Sequence, residues 1–199
     1  IGKPLLPNIE SFSNTDIAVV ELSSFQLISM RKSPDIAVIT NISPNHLDVH
    51  KNMDEYINAK KNILLHQNAF SSTILNFDNE ITKSFSPLVR GKILGFTMHD
   101  VSSNKNFTGA YLRSDGMICM KISNTITPII HRDDICIPGR HNLENCLTAI
   151  TATWDYVSIE NIREVAKTFT GVPHRTEFVA EIEKVRYYND SIASSPTRT

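Results

Sequence analysis

The sequence predicts an α/β protein: a central, parallel-rich sheet with flanking helices, with a domain boundary near Pro173. Three observations carry this reading. The runs 16–21 (DIAVVE) and 35–41 (DIAVITN) are short and β-branched, begin after turn-forming or polar residues and end in polar ones, as strands buried on both faces do. Downstream, a segment with helical apolar spacing is followed by another strand-like run, and that alternation is what a sheet with crossover helices requires. Near Pro173 the chain is punctuated by Gly171-Val172-Pro173 and then changes to hairpin texture.

Each element follows from its local pattern. Between Met53 and His66 the residues Tyr56, Ile57, Ala59, Ile63 and Leu64 share a helical face, and 72–77 reads as the next strand. A helix is expected over 79–88 and a strand over 92–96 (KILGF). From 108 to 130 residues alternate around Ser114-Asp115-Gly116, which predicts a small antiparallel excursion about a tight turn. The stretch 137–142 is a turn leading into a helix over 143–156, and Ser158 caps a second helix over 158–169. A hairpin is expected over 176–188, ahead of Asn189-Asp190-Ser191. The domains are therefore placed at 1–172 and 173–199.

Composition narrows the function. With 41% hydrophobic and 21% charged residues, 199 residues can bury a sizeable core. Twenty basic against twenty-one acidic side chains leave a net charge of -1, without the footprint of a general nucleic-acid binder. A local phosphate site remains compatible with that balance. No apolar run reaches the roughly 18 to 20 residues of a membrane span, and the opening IGKPLLPNIE lacks the order of a secretion signal, so a cytoplasmic protein is expected. Cys119, Cys136 and Cys146 form no C-x-x-C pair and are expected to be reduced packing cysteines. The first residue is Ile and the last residues are loop-like, so the chain is expected to be a fragment.

Polar residues gather where strands end, which is where ligands sit in doubly wound sheets. Glu21, Ser23, Ser24 and Gln26 follow the first run, and His46 and Asp48 follow the second. Glu and His at adjacent strand ends are a metal-site candidate; the plain alternative is polar capping of two loops. Lys60 and Lys61 lie on the next helix, Tyr56 one turn before Lys60 on the same face. They are either solvated lysines or, facing the sheet edge, a cation or a carbamate whose oxygens suit Mg2+. His141, Asn142 and Asn145 open a helix, as an anion or nucleotide site or with Asn142 as N-cap. Arg175 could fork onto a phosphate across a domain cleft or be a surface arginine, and Asp190 is a strand-end carboxylate or a turn residue.

Taken in order, ELSSFQL (21–27), TNISPNHLD (40–48), YINAK (56–60), PGRHNLEN (138–145), PHR (173–175) and NDS (189–191) resemble the Mur ligase family. ELSSFQ and NDS are similar to the branch that adds D-glutamate to UDP-N-acetylmuramoyl-L-alanine. The resemblance implies three domains, of which 1–172 is most of the central ATPase domain and 173–199 the start of the third, a C-terminal α/β domain, with the phosphate loop lying upstream of Ile1. It implies an ATP-dependent amide ligase of peptidoglycan precursor synthesis that works through an acyl phosphate, with ATP and Mg2+ as cofactors. The full-length protein would be a monomer without nucleic-acid or membrane partners, and the fragment inactive by itself. By the same resemblance Glu21 and His46 are magnesium ligands, Lys60 is the carbamate lysine and a catalytic residue with His46, and Ser23 and Gln26 lie by the muramoyl substrate. Asn142, Asn145, Arg175 and Asp190 are nucleotide contacts. Ile192 stands where many relatives have Lys. Rival readings are a non-catalytic module that binds nucleotide or UDP-muramoyl substrate, and a related Mur or folylpolyglutamate ligase; ELSSFQ disfavours the second.

Overall fold

The computed structural model describes residues 6–44 and 50–191. One mixed sheet holds β1 (Ile36–Ile39), β2 (Ser72–Asn76), β3 (Lys92–Thr97), β4 (Gly109–Leu112), β5 (Met117–Ile122) and β6 (Thr125–His131), in that spatial order. The pairs β1/β2 and β3/β4 are parallel, and β4/β5 and β5/β6 antiparallel. The helices are α1 (Ser24–Ile28), α2 (Met53–Leu65), α3 (Glu80–Lys83), α4 (Arg140–Thr153) and α5 (Ile159–Thr168). Strands β7 (Glu177–Ile182) and β8 (Val185–Asn189) form a separate hairpin. An α/β architecture with flanking helices is thus what the chain adopts. No helix among the described residues is long and apolar enough to cross a membrane.

By contacts the chain divides into two compact units, residues 1–75 with 79–93, and 76–78 with 94–199. In the first, α2 starts because Asn52 Oδ1 accepts from the Glu55 N–H at 2.9 Å, with Asp54 and Glu55 placed favourably against the helix dipole. Tyr56, Ala59 and Leu64 form its buried stripe. From the same helix Asn62 Nδ2 donates to the Leu27 and Ile28 carbonyls (2.9 and 3.3 Å), using the free acceptors at the end of α1. Just beyond α2, the buried Gln67 donates from Nε2 to the Pro34 and Ser72 carbonyls, both at 3.0 Å, and accepts from Thr73 Oγ1 at 2.5 Å. This amide joins the entries of β1 and β2.

In the second unit β4, β5 and β6 make the antiparallel excursion, and Arg113, paired with Asp115 at 2.6 Å, braces its turn. Phe107, Tyr111 and Cys119 are its buried core. Lys121, 3% exposed, donates from Nζ to the carbonyls of Val101, Ser102 and Asn104 (3.3, 2.7 and 2.7 Å) and so closes the loop before β4. Gly109 has φ +141° and lies so close to β3 that a Cβ there would collide with the Gly95 carbonyl. Helix α4 ties to the sheet where Ala110 N–H donates to Thr151 Oγ1 (3.2 Å), and α5 where Arg163 Nε donates to the Ile129 carbonyl (2.6 Å). Ser158 caps α5 as expected.

Four local expectations are corrected. Residues 16–21 form no strand: no ladder partner for them is found among the described residues, and Ile17, Val19 and Val20 are 59%, 91% and 51% exposed. β-branched composition suits a pleated surface only where neighbouring strands take up the backbone groups, and β1 is the edge of the sheet. The helix expected over 79–88 breaks into α3 and a 3-10 turn, Ser86–Leu88, because Pro87 has no N–H to continue the ladder and Phe85 turns into the core. Helix α4 begins at Arg140 and ends at Thr153; Gly139 at φ +101° is its N-cap, so Asn142 is not. Of the cysteines, all free, Cys119 is buried and Cys146 half-buried, whereas Cys136 is exposed and is no packing residue.

Candidate functional site

In the first unit the segment after residue 20 turns into α1 through a reciprocal cap. Ser23 Oγ accepts from the Gln26 N–H at 3.3 Å, and Gln26 Oε1 accepts from the Ser23 N–H at 2.9 Å. The two residues singled out for substrate therefore also build the helix that follows Glu21. Glu21 itself is exposed. Lys60 is half-buried on α2 with Nζ 5.8 Å from the Tyr56 ring centroid, bearing out the shared face of Tyr56 and Lys60. Burial lowers the Lys60 pKa, and the nearby Glu21 carboxylate works in the opposite direction. Lys61 faces elsewhere, 5.5 Å from the Phe85 ring centroid, and donates to Asn58 Oδ1 at 3.3 Å. Glu21 is thus within electrostatic reach of Lys60. His46 and Asp48 lie outside the described residues, as does Ile192; among the described residues no group of three or more His, Cys, Asp and Glu side chains converges on a metal position.

In the second unit the start of α4 borders a polar cavity of 570 Å³ whose lining includes His99, Arg132, Gly139 and Arg140. Gly139 offers no side chain to cap the helix. Asn142 Nδ2 donates to the Pro138 carbonyl at 2.6 Å and so braces the turn, while Asn145, one turn on and exposed, reaches Asn142 Oδ1 at 3.5 Å. Across the cavity, His99 Nε2 is 3.8 Å from Asp78 Oδ1, and Asp78 also accepts from Thr97 Oγ1 and the Met98 N–H.

The open end of the β7–β8 hairpin joins PHR and NDS. Asn189 Nδ2 lies 2.9 Å from His174 Nδ1, and the Thr176 N–H donates to Asp190 Oδ1 at 2.9 Å. Asp190 Oδ2 is buried and has no hydrogen-bond partner among the described residues. Arg175 is exposed beside it in sequence. The motifs are therefore neighbours in space, which their separation along the chain concealed. Sequence reading missed His50, which is buried against α1 and α2; its one legible signal is a second histidine shortly before the helix.

Comparison with known proteins matches residues 4–153 to the model of the Mur ligase middle domain. The chain belongs to the Mur ligase family. A curated relative from Acetivibrio thermocellus, the UDP-N-acetylmuramoylalanine--D-glutamate ligase, is 53% identical across the whole chain, which spans 42% of that relative's length. Among solved structures, MurF from Acinetobacter baumannii matches 83% of this chain and 35% of its own at TM-score 0.59 and 18% identity. MurF ligase from Thermotoga maritima in complex with ADP matches 79% and 35% at TM-score 0.55 and 16% identity. These two show a shared fold.

Proposed function

We propose that the chain is the ATP-handling part of an amide ligase that adds D-glutamate to UDP-N-acetylmuramoyl-L-alanine in peptidoglycan precursor synthesis. The observation that carries the ligase reading is Lys60, half-buried, with its proton affinity lowered and Glu21 close by. Burial favours the neutral amine, whose lone pair can attack carbon dioxide; a C–N bond forms, one C=O pair moves onto oxygen and a proton leaves nitrogen for water. The resulting carbamate and Glu21 supply the hard oxygen donors that suit Mg2+, with His46 as a further ligand. Bound there, Mg2+ would offset charge between a substrate carboxylate and the phosphates of ATP. The choice of D-glutamate and UDP-N-acetylmuramoyl-L-alanine is supported by the name of the 53% identical relative. The 42% coverage of that relative supports a fragment that needs the rest of a longer protein to act.

In the reaction a carboxylate oxygen attacks the γ-phosphorus, ADP departs, and the D-glutamate amine displaces phosphate from the acyl carbon through a tetrahedral intermediate. Positioning and charge compensation do most of the work. The start of α4 suits a nucleotide: Gly139, Arg140 and Leu143 line the polar cavity, Asn142 braces the turn that leads to them and Asn145 follows one turn on, and the ADP in the Thermotoga MurF ligase fits that use. The unpartnered Oδ2 of Asp190 is suited to accept from a ribose hydroxyl, and Arg175 to fork onto phosphate. Ser23 and Gln26, at the turn after Glu21, are placed for the muramoyl group. A boundary at 172/173 is supported by β7 and β8 pairing with each other and lying in a sheet apart from β1 to β6. We assign the protein to the cytoplasm, acting as a monomer.

The test is ATP-dependent phosphate release by a protein extended to the length of those relatives, given UDP-N-acetylmuramoyl-L-alanine and a panel of D- and L-amino acids. Release is expected with D-glutamate alone, and Lys60→Ala is expected to abolish it, with partial rescue by short carboxylates. No release with any amine would favour a binding module, and full activity of Lys60→Ala would remove the carbamate.

A further inference from the structure

His50 is 2% exposed, and every side of its ring is occupied. Its Nε2 lies 2.9 Å from Ser24 Oγ, in the first turn of α1. One ring face stacks on Phe25, centroids 5.3 Å apart and planes within 8°. Tyr56 packs against it at 5.3 Å and 59°, and its Nδ1 faces Glu55 Oε2 at 4.0 Å. Glu55 in turn accepts from the Lys51 N–H at 2.6 Å, which fixes the backbone beside the histidine.

Ser, His and Glu in this order resemble a hydrolase triad, but burial argues against one. Ser24 is 2% exposed, so no acyl group can reach its oxygen, and a 4.0 Å His–Glu separation is loose for a base orienter. What the arrangement does is mechanical. Asn62 holds the end of α1 to α2 through two carbonyls, and His50 holds its beginning. Glu21 lies two residues before Ser23, the N-cap of α1, and Lys60 lies one turn beyond Tyr56, the ring that His50 packs against.

We propose that His50 is the positioning residue that locks the start of α1, and with it Glu21, to the helix that carries Lys60. The inference rests on the ligase reading above and extends it to a residue with no access to substrate. Two groups meant to share a metal tolerate little relative movement, because misplacement by about 1 Å can cost about a hundredfold in rate. Residues that orient metal ligands typically change metal affinity by about 10- to 100-fold when altered.

The experiment uses the protein at the full length of its relatives, supplied with ¹³C-bicarbonate. It reads the Lys60 carbamate resonance by ¹³C NMR, the Mg2+ concentration for half-maximal phosphate release, and the melting temperature. His50→Phe keeps a ring against Phe25 and Tyr56 but loses the bond to Ser24; Ser24→Ala breaks the same bond with the histidine in place; His50→Gln restores a polar atom near the Nε2 position. Expected are a carbamate signal reduced several-fold and a half-saturating Mg2+ raised about tenfold in His50→Phe and Ser24→Ala, with His50→Gln close to the parent. Unchanged carbamate and Mg2+ response in Ser24→Ala overturns the proposal, whatever happens to the stability of His50→Phe. Equal loss in His50→Gln and His50→Phe overturns it too, since ring packing and not the hydrogen bond would then hold the helices. A parent protein with no carbamate resonance strikes the ligase reading itself, which separates the two failures.

Discussion

Replacing Gln67 by Leu isolates the amide that joins β1 and β2. The side chain is 2% exposed and makes three hydrogen bonds, to the Pro34 and Ser72 carbonyls and from Thr73. Leucine fills nearly the same volume, so little cavity opens and the cost is mostly polar. At about 1 kcal/mol net for each bond, the loss comes to about 3 kcal/mol. Thr73 is 0% exposed and cannot turn to water, whereas Ser72 is half-buried and can recover part of its loss, which sets the lower bound near 2 kcal/mol. Urea unfolding followed by far-ultraviolet circular dichroism reads the difference. Adding Thr73→Val to the leucine variant should recover about 1 kcal/mol, because the orphaned hydroxyl goes with it. A Gln67→Leu protein within about 0.5 kcal/mol of the parent would refute the argument that these bonds, and not mere filling of space, hold the entries of the two strands.

Three further outcomes follow from buried groups. Tyr111 is fully buried, its hydroxyl makes no hydrogen bond of good geometry among the described residues and has only the weak Cys119 thiol as a polar neighbour, and burial pushes its pKa up to about 12. Tyr111→Phe should therefore unfold at the same urea concentration as the parent or a higher one, gaining up to about 1 kcal/mol, and a clear loss would reveal a partner for the hydroxyl. Lys60 has a folded-state pKa below the ordinary lysine value of 10.5, so the unfolded chain binds more protons between the two values. Stability should rise as pH climbs through that window, and Lys60→Met should flatten the rise; urea titrations at increasing alkaline pH, without added bicarbonate, check the sign. Cys136 is exposed, while burial raises the Cys146 thiol to about 11 and also raises Cys119. Iodoacetamide at neutral pH should label Cys136 first, as peptide mass spectrometry after brief exposure would show, and early labelling of Cys119 would contradict its burial.

Where a pattern was both local and complete, reading it was enough. Helix α2 carries its cap, its acidic first turn and its buried stripe within its own residues, and Ser114-Asp115-Gly116 turns between antiparallel strands as expected, although β4 and β5 are buried on both faces and do not alternate. The expectation failed where the decision lay elsewhere in the fold. Residues 16–21 have strand composition but no ladder, because backbone pairing is a property of neighbours. Asn142 has capping chemistry, yet Gly139 reaches the positive φ at which α4 begins and leaves Asn142 inside the first turn.

The candidate site divides the same way. The residue types themselves, a lysine among acidic and polar strand ends and asparagines at a helix start, are legible because their chemistry is intrinsic. Which lysine lies by Glu21 depends on the rotation of α2 against α1: Lys60 goes over Tyr56 and Lys61 over Phe85. His50 stood among the polar residues of a loop, and only folding removed its water and gave it Ser24, Phe25 and Tyr56 as neighbours. The sequence by itself determined most of the elements, those whose signals are local, and the reactive groups they carry. Tertiary structure alone decided which of those groups meet and which are buried, because solvent exclusion and long-range hydrogen bonds exist only once distant segments have packed.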